Sequence, residues 1–80
     1  MHSKEVLAKN LHTTTLGVER CQRNLNINSD VIILCRNIIL NNNSEVIVQG
    51  KNHYVSLEDT ILTINTKSFT LITAHRKKRK

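Results

Sequence analysis

Two short stretches of this chain carry the side chains best suited to chemistry, and they lie near opposite ends. Toward the front stands Leu11-His12-Thr13-Thr14-Thr15-Leu16-Gly17, with Arg20 one turn further on. Toward the back stands Ser68-Phe69-Thr70-Leu71-Ile72-Thr73-Ala74-His75, followed by Arg76, Lys77, Lys78, Arg79 and Lys80. An imidazole accepts or donates a proton near neutrality because its unperturbed pKa is ~6.5. Arginine can hold a phosphate through two parallel hydrogen bonds. These residue types suit proton transfer at a phosphodiester, provided that folding brings the two stretches together.

Each candidate also has a plainer reading. His2 sits at a terminus, and His53 opens a strand after a turn and reads as a surface residue. His12 and His75 are the better candidates, since each stands beside hydroxyls and cations. His12 immediately precedes a helix start, where unpaired N–H groups and the helix dipole favour an anion. Thr13 and Thr14 add donors there. Arg20 is placed to clamp the same phosphate, or else is a solvated cation beside a carboxylate. Threonine is common in strands, so the hydroxyls of Thr63, Thr70 and Thr73 can equally face water.

The charge is uneven. Residues 1–75 hold seven Lys or Arg against six Asp or Glu, whereas residues 76–80 are all cations. A nearly neutral body of 1–75 with a basic tail of 76–80 is the expected organisation. Such tails bind polyanions, chiefly nucleic acid, through counterion release, although a frayed and solvated terminus is the plain alternative. With only Tyr54 and Phe69 as aromatics, a sheet that stacks bases on several exposed rings is disfavoured.

Eighty residues make one domain with a small core. The lack of proline, with two glycines, argues against a linker or a loop-rich scaffold. Cys21 and Cys35 form no Cys-x-x-Cys pair and have no matching histidine spacing, so neither zinc nor any cofactor is expected. There is no signal-peptide pattern and no apolar run of ~20 residues, which implies no membrane span and a reducing, cytoplasmic setting with both thiols free.

The elements that must position these groups follow from the apolar period. Ser3 can cap a helix over Lys4–Asn10, and the threonine run can start a second over about 16–25, with Val18, Cys21 and Leu25 as its buried stripe. Ser29 or Asp30 caps a third over Val31–Leu40, whose length favours helix although its β-branched residues favour strand. It should lie buried between the sheet and the preceding helix. From Glu45 the period becomes two. Strands are expected at 45–49, 53–57, 60–66 and 69–75, joined by tight turns at Gly50-Lys51-Asn52, Glu58-Asp59 and Lys67-Ser68. Helices first and strands after make an α+β fold, with N-terminal helices packed on one face of a four-stranded antiparallel meander. Alternation would put Phe69, Leu71, Thr73 and His75 on one face of the last strand, and Ser68, Thr70, Ile72 and Ala74 on the other.

With these residues in view, the chain resembles a small bacterial domain family of uncharacterised function. The resemblance rests on Leu11-His12-Thr13-Thr14 with Gly17, Glu19-Arg20 and Asn24-Leu25, joined to Ser68-Phe69-Thr70-Leu71-Ile72-Thr73-Ala74-His75. The second motif, and the order of helices and strands, is also similar to the barnase, colicin and RelE-like ribonuclease toxins. That likeness implies metal-independent RNA cleavage, in which the 2′-hydroxyl attacks its own phosphate. It implies His12 as general base or acid, Arg20 as phosphate clamp, Thr70 or Thr73 as positioning donor and His75 as the second acid/base group. Asn65, Ser68, Thr13, Thr14, Arg76, Lys77 and Lys78 would contact the substrate.

Three functions follow. The first is a small endoribonuclease, as the toxin of a toxin–antitoxin or prophage module with a protein antitoxin. The second is a nucleic-acid-binding or regulatory module without catalysis, and the third a homodimeric interaction protein.

Overall fold

The computed structural model describes residues 3–77. Lys78, Arg79 and Lys80 of the basic run, and His2, lie outside the described residues. Three helices, α1 (Lys4–Asn10), α2 (Thr15–Leu25) and α3 (Val31–Leu40), precede four strands among the described residues: β1 (Glu45–Gln49), β2 (Asn52–Leu57), β3 (Thr60–Asn65) and β4 (Leu71–Arg76). The strands form one antiparallel sheet in the order β1-β2-β3-β4, the expected meander of an α+β fold. Among the described residues, no helix is long and apolar enough to cross a membrane.

Each helix begins on a side-chain cap that satisfies N–H groups its own first turn leaves unpaired. Ser3 Oγ accepts from Val6 N, Thr14 Oγ1 from Gly17 N, and Asp30 Oδ1 from both Ile32 N and Ile33 N. Asp30, rather than Ser29, is therefore the cap that settles the third segment as helix. Two long cations join the helices: Arg36 Nε donates to Ala8 O at 2.9 Å, and Lys4 Nζ donates to Asn41 O and Ser44 O. Ala8 O and Asn41 O lie at helix C-terminal ends, where the dipole favours positive charge. α1 packs on α3, α2 on β4, and α3 on β2.

The core is aliphatic. Leu7 and Leu11 meet Cys21, Leu25, Val31, Cys35 and Ile39 from the helices and Val55, Leu62, Ile64, Leu71 and Ala74 from the sheet. The buried stripe of α2 is Gly17, Cys21 and Leu25, with Val18 half-buried against it. α3 is less enclosed than its composition suggested. Val31, Cys35 and Ile39 point inward, but Ile33 and Leu40 are exposed because α3 lies mainly against α1. Both cysteines are free and buried. Burial pushes the Cys35 thiol up to about 12, with Cys21 adding to it. Burial also raises Cys21, offset in part by a hydrogen bond with the Ala74 backbone and by the Arg20 guanidinium.

Two expectations about the sheet are corrected. First, β2 begins at Asn52, since the first hairpin turns on Gly50 and Lys51 alone, with Gly50 at φ 62. His53 then falls on the same face as Val55 and is 1 % exposed, so it is a core residue and not a surface one. Second, β4 does not alternate regularly. Its pairing with β3 shifts between Thr63 and Ile64, so Thr63 pairs with Thr73 and Ile64 with Leu71, leaving Ile72 as the extra residue. A bulge reverses the phase of everything beyond it. Leu71 and Ala74 are consequently both buried, while Thr73 and His75 face away from them.

Candidate functional site

The segment between α1 and α2 returns to lie beside the start of β4, so the front and back stretches do meet. His12 forms an isolated parallel bridge with Thr70. His12 N donates to Phe69 O at 3.3 Å, and Leu71 N donates to His12 O at 2.7 Å. Thr13 Oγ1 donates to Leu71 O at 2.9 Å, supplying from a side chain the bond that a longer strand would supply from its backbone. Leu11, beside His12, is buried and anchors the segment in the core.

On the sheet side, the loop from β3 to β4 is wound by one residue. Asn65 Oδ1 accepts from Lys67 N and Ser68 N, Asn65 O accepts from Phe69 N, and Asn65 N donates to Thr70 O. Closing this loop puts Phe69 in the left-handed region at φ 57, a conformation that crowds its Cβ. The ring packs against the core, which offsets that cost, and Phe69 O is thereby aimed at His12.

These two supports leave the side chains of His12, Thr70 and Ser68 in a line. His12 Nδ1 is 3.0 Å from Asn10 O, and a carbonyl only accepts, so this bond puts the ring proton on Nδ1. In the neutral imidazole Nε2 then presents a lone pair, and Thr70 Oγ1, 3.1 Å away, donates to it. Ser68 Oγ lies 2.8 Å from Thr70 Oγ1 and donates in turn. For the neutral ring, the Asn10 carbonyl sets the direction of the whole chain: Ser68 hydroxyl to Thr70 hydroxyl to His12 Nε2, with Nδ1–H on Asn10. His12 and Ser68 are exposed and Thr70 is half-buried, so the line opens to solvent.

Other candidates are used differently. Thr14 caps α2, and Thr13 holds β4, so both hydroxyls have structural partners. Thr73 Oγ1 accepts from Asn24 Nδ2 at 3.4 Å, an α2 contact that residue types alone did not indicate. His75 is exposed opposite Ile61, five residues beyond Thr70 and thus roughly 15 Å along the strand at ~3.3 Å per residue. The geometry does not bring it to His12. Arg20 is exposed on α2, one residue before buried Cys21. Arg76 ends β4, and Lys77 N donates to Asp59 O, so both belong to the folded body. A separate recess between α1 and α3 is lined by Glu5, Ala8, Lys9, Arg36 and Leu40. No three His, Cys, Asp or Glu side chains cluster as metal donors among the described residues.

Residues 6–75 match a family model described as a protein of unknown function, DUF3781. The chain belongs to the DUF3781 family. The match spans both halves of the site, from α1 through His75, so the His12–Thr70 meeting is formed within the DUF3781 domain itself. No curated protein and no solved structure matches the chain. Membership thus establishes a domain without a described activity, and the chemistry rests on the residues.

Proposed function

We propose that the His12 centre binds RNA and cleaves it without a metal, by attack of a 2′-hydroxyl on the adjacent phosphate. The observation that carries this reading is the solvent-open line Ser68–Thr70–His12, whose acceptor end is the Nε2 lone pair. A base in this reaction must take a proton from a hydroxyl held within hydrogen-bond reach. Nε2 already accepts from one hydroxyl, Thr70, and so has the geometry for accepting from another. A substrate 2′-hydroxyl either displaces Thr70 or passes its proton to Nε2 through the Ser68 and Thr70 hydroxyls; as the new O2′–P bond forms the P–O5′ bond breaks, and the departing 5′-oxygen takes a proton from solvent water. Developing negative charge on the phosphate would be met by the start of α2, three residues beyond His12, and by Arg20. The basic run beginning at Arg76 supplies non-specific attraction to the polyanion. A toxin role, with a protein antitoxin, is the biological setting that the ribonuclease resemblance suggests.

The experiment is cleavage of a labelled single-stranded RNA in EDTA by the wild-type chain, His12→Ala and Thr70→Ala. Wild type should cut with chelator present and leave a cyclic phosphate. His12→Ala should be slower by at least ~100-fold, the usual worth of a positioned acid or base. Cleavage that stops in EDTA, or that is unchanged in His12→Ala, removes the proposal. RNA binding that persists with no cleavage in any variant would replace it with the binding module.

A further inference from the structure

The two edges of the sheet are treated differently. At the β4 edge the His12 segment pairs with the chain at Phe69–Leu71 and the Thr13 hydroxyl holds Leu71 O, while α2 packs on β4. The β1 edge, Glu45-Val46-Ile47-Val48-Gln49, is short and carries one charge, Glu45, but no described segment pairs with its outer side. It has no proline, no lysine and no bulge, and pairs with β2 in unbroken register. Ile47 is 56 % exposed and Val48 42 %.

The hairpin determines which backbone groups point outward. A two-residue turn makes Gln49 and Asn52 a hydrogen-bonded pair, and such pairs alternate along an antiparallel ladder. Ile47 and Glu45 therefore direct their N–H and C=O groups at β2, while those of Val46 and Val48 face away from the sheet. A strand that docks here must offer matching groups at the same spacing, together with aliphatic side chains.

We propose that the occupant is a second copy of this chain, joined through antiparallel β1 strands about a two-fold axis at Ile47, giving one continuous sheet across the dimer. β1 is self-complementary in this arrangement. Val46 exchanges both backbone bonds with the partner's Val48, and Ile47 meets the partner's Ile47. Glu45 stands opposite the partner's Gln49, so no like charges face each other. The two-fold axis repeats each of these contacts. The contact is short, below the ~1,200 Å² typical of stable complexes, so association is in the micromolar range. This inference is independent of the ribonuclease reading.

The test is sedimentation equilibrium of the full chain from about 10 µM to about 1 mM, a span that brackets the expected Kd. Wild type should pass from its 9.2 kDa monomer to twice that mass. Ile47→Lys places like charges together at the axis, and Val46→Pro removes an outward N–H without touching the β1–β2 ladder. Each should weaken association at least ~30-fold, about 2 kcal/mol, while circular dichroism shows a folded monomer. If Val46→Pro does not fold, Ile47→Lys carries the test on a side chain that is exposed in the monomer. Wild type that stays at 9.2 kDa throughout, or folded Ile47→Lys that associates as tightly as wild type, overturns the proposal.

Discussion

Replacing Gly17 by alanine should destabilise this protein, against the ordinary trend for helices. Alanine in place of an interior helical glycine usually gains about 1 kcal/mol. Here Gly17 is buried in the first turn of α2, and a Cβ on it would fall onto Thr13 Oγ1, with Thr14 Oγ1 3.3 Å away. Thr13 can relieve the overlap only by turning its hydroxyl away from Leu71 O, its 2.9 Å acceptor. A part-buried carbonyl that loses its donor costs about 1–3 kcal/mol, and crowding the Thr14 cap adds to that. Set against the helical gain, the net loss is about 1–2 kcal/mol, or roughly 5–15 °C in Tm for a domain of this size.

A double-mutant cycle identifies the cause. Thr13→Ala alone should cost about 1–2 kcal/mol, since it removes the same hydrogen bond. In the Thr13→Ala background the overlap is gone, so Gly17→Ala should become neutral or stabilising by up to ~1 kcal/mol. The coupling between the two sites is then about 2 kcal/mol. Urea unfolding followed by far-ultraviolet circular dichroism measures all four proteins. The reasoning is refuted if Gly17→Ala stabilises the wild-type chain, or if its cost is the same with and without the Thr13 hydroxyl.

Two further predictions concern the hairpin and the core. Glu58 holds φ 55 at the first position of the β2–β3 turn, so Glu58→Gly should raise stability by about 0.5–1 kcal/mol, read as a higher urea midpoint at constant m-value. Cys35 keeps its proton in the folded state to about 12, above the 9.0 ordinary for the thiol. Above pH ~9 the unfolded chain therefore binds fewer protons than the native one, and stability falls as pH rises through that window by up to ~1.4 kcal/mol per unit from this group. Cys35→Ala, although less stable at pH 7, should show a shallower alkaline decline in urea titrations; an identical slope would remove the assignment.

Most of the architecture was legible because its signals are local. Ser3, Thr14 and Asp30 are hydroxyl or carboxylate caps at the starts of apolar periods, and the change from helical period to period two at Glu45 separates helices from sheet. Several features were hidden for a shared reason: they depend on φ or register, which residue type constrains weakly. Glu58 and Phe69 occupy left-handed conformations without a glycine to announce them. The Ile72 bulge reverses the face of Thr73 and His75, and nothing in an alternating strand marks where one residue is skipped. His53 was legible, since period two ties it to Val55, but its polarity and its place after a turn outweighed that signal. The convergence of His12 with Thr70 agreed with the expectation drawn from the two motifs, whereas the part played by Asn10 is that of a backbone carbonyl and leaves no trace in residue identity.

The same division between backbone and side chain makes His12 open to a clean test. What docks the α1–α2 segment on β4 is main chain: His12 N on Phe69 O, and His12 O accepting from Leu71 N, reinforced by Thr13 and by buried Leu11. The imidazole contributes two further bonds at an exposed position, to Asn10 O and from Thr70, neither of which holds an otherwise buried group. Exposed polar contacts of this kind contribute about 0.5–1.5 kcal/mol each at most. His12→Ala should therefore leave the bridge, the fold and most of the stability in place while deleting the Nε2 acceptor. A large loss of RNA cleavage with a small change in Tm would then belong to the chemistry. A loss of both together would mean that the ring is part of the fastening between the two halves, and that its alignment with Thr70 and Ser68 serves structure.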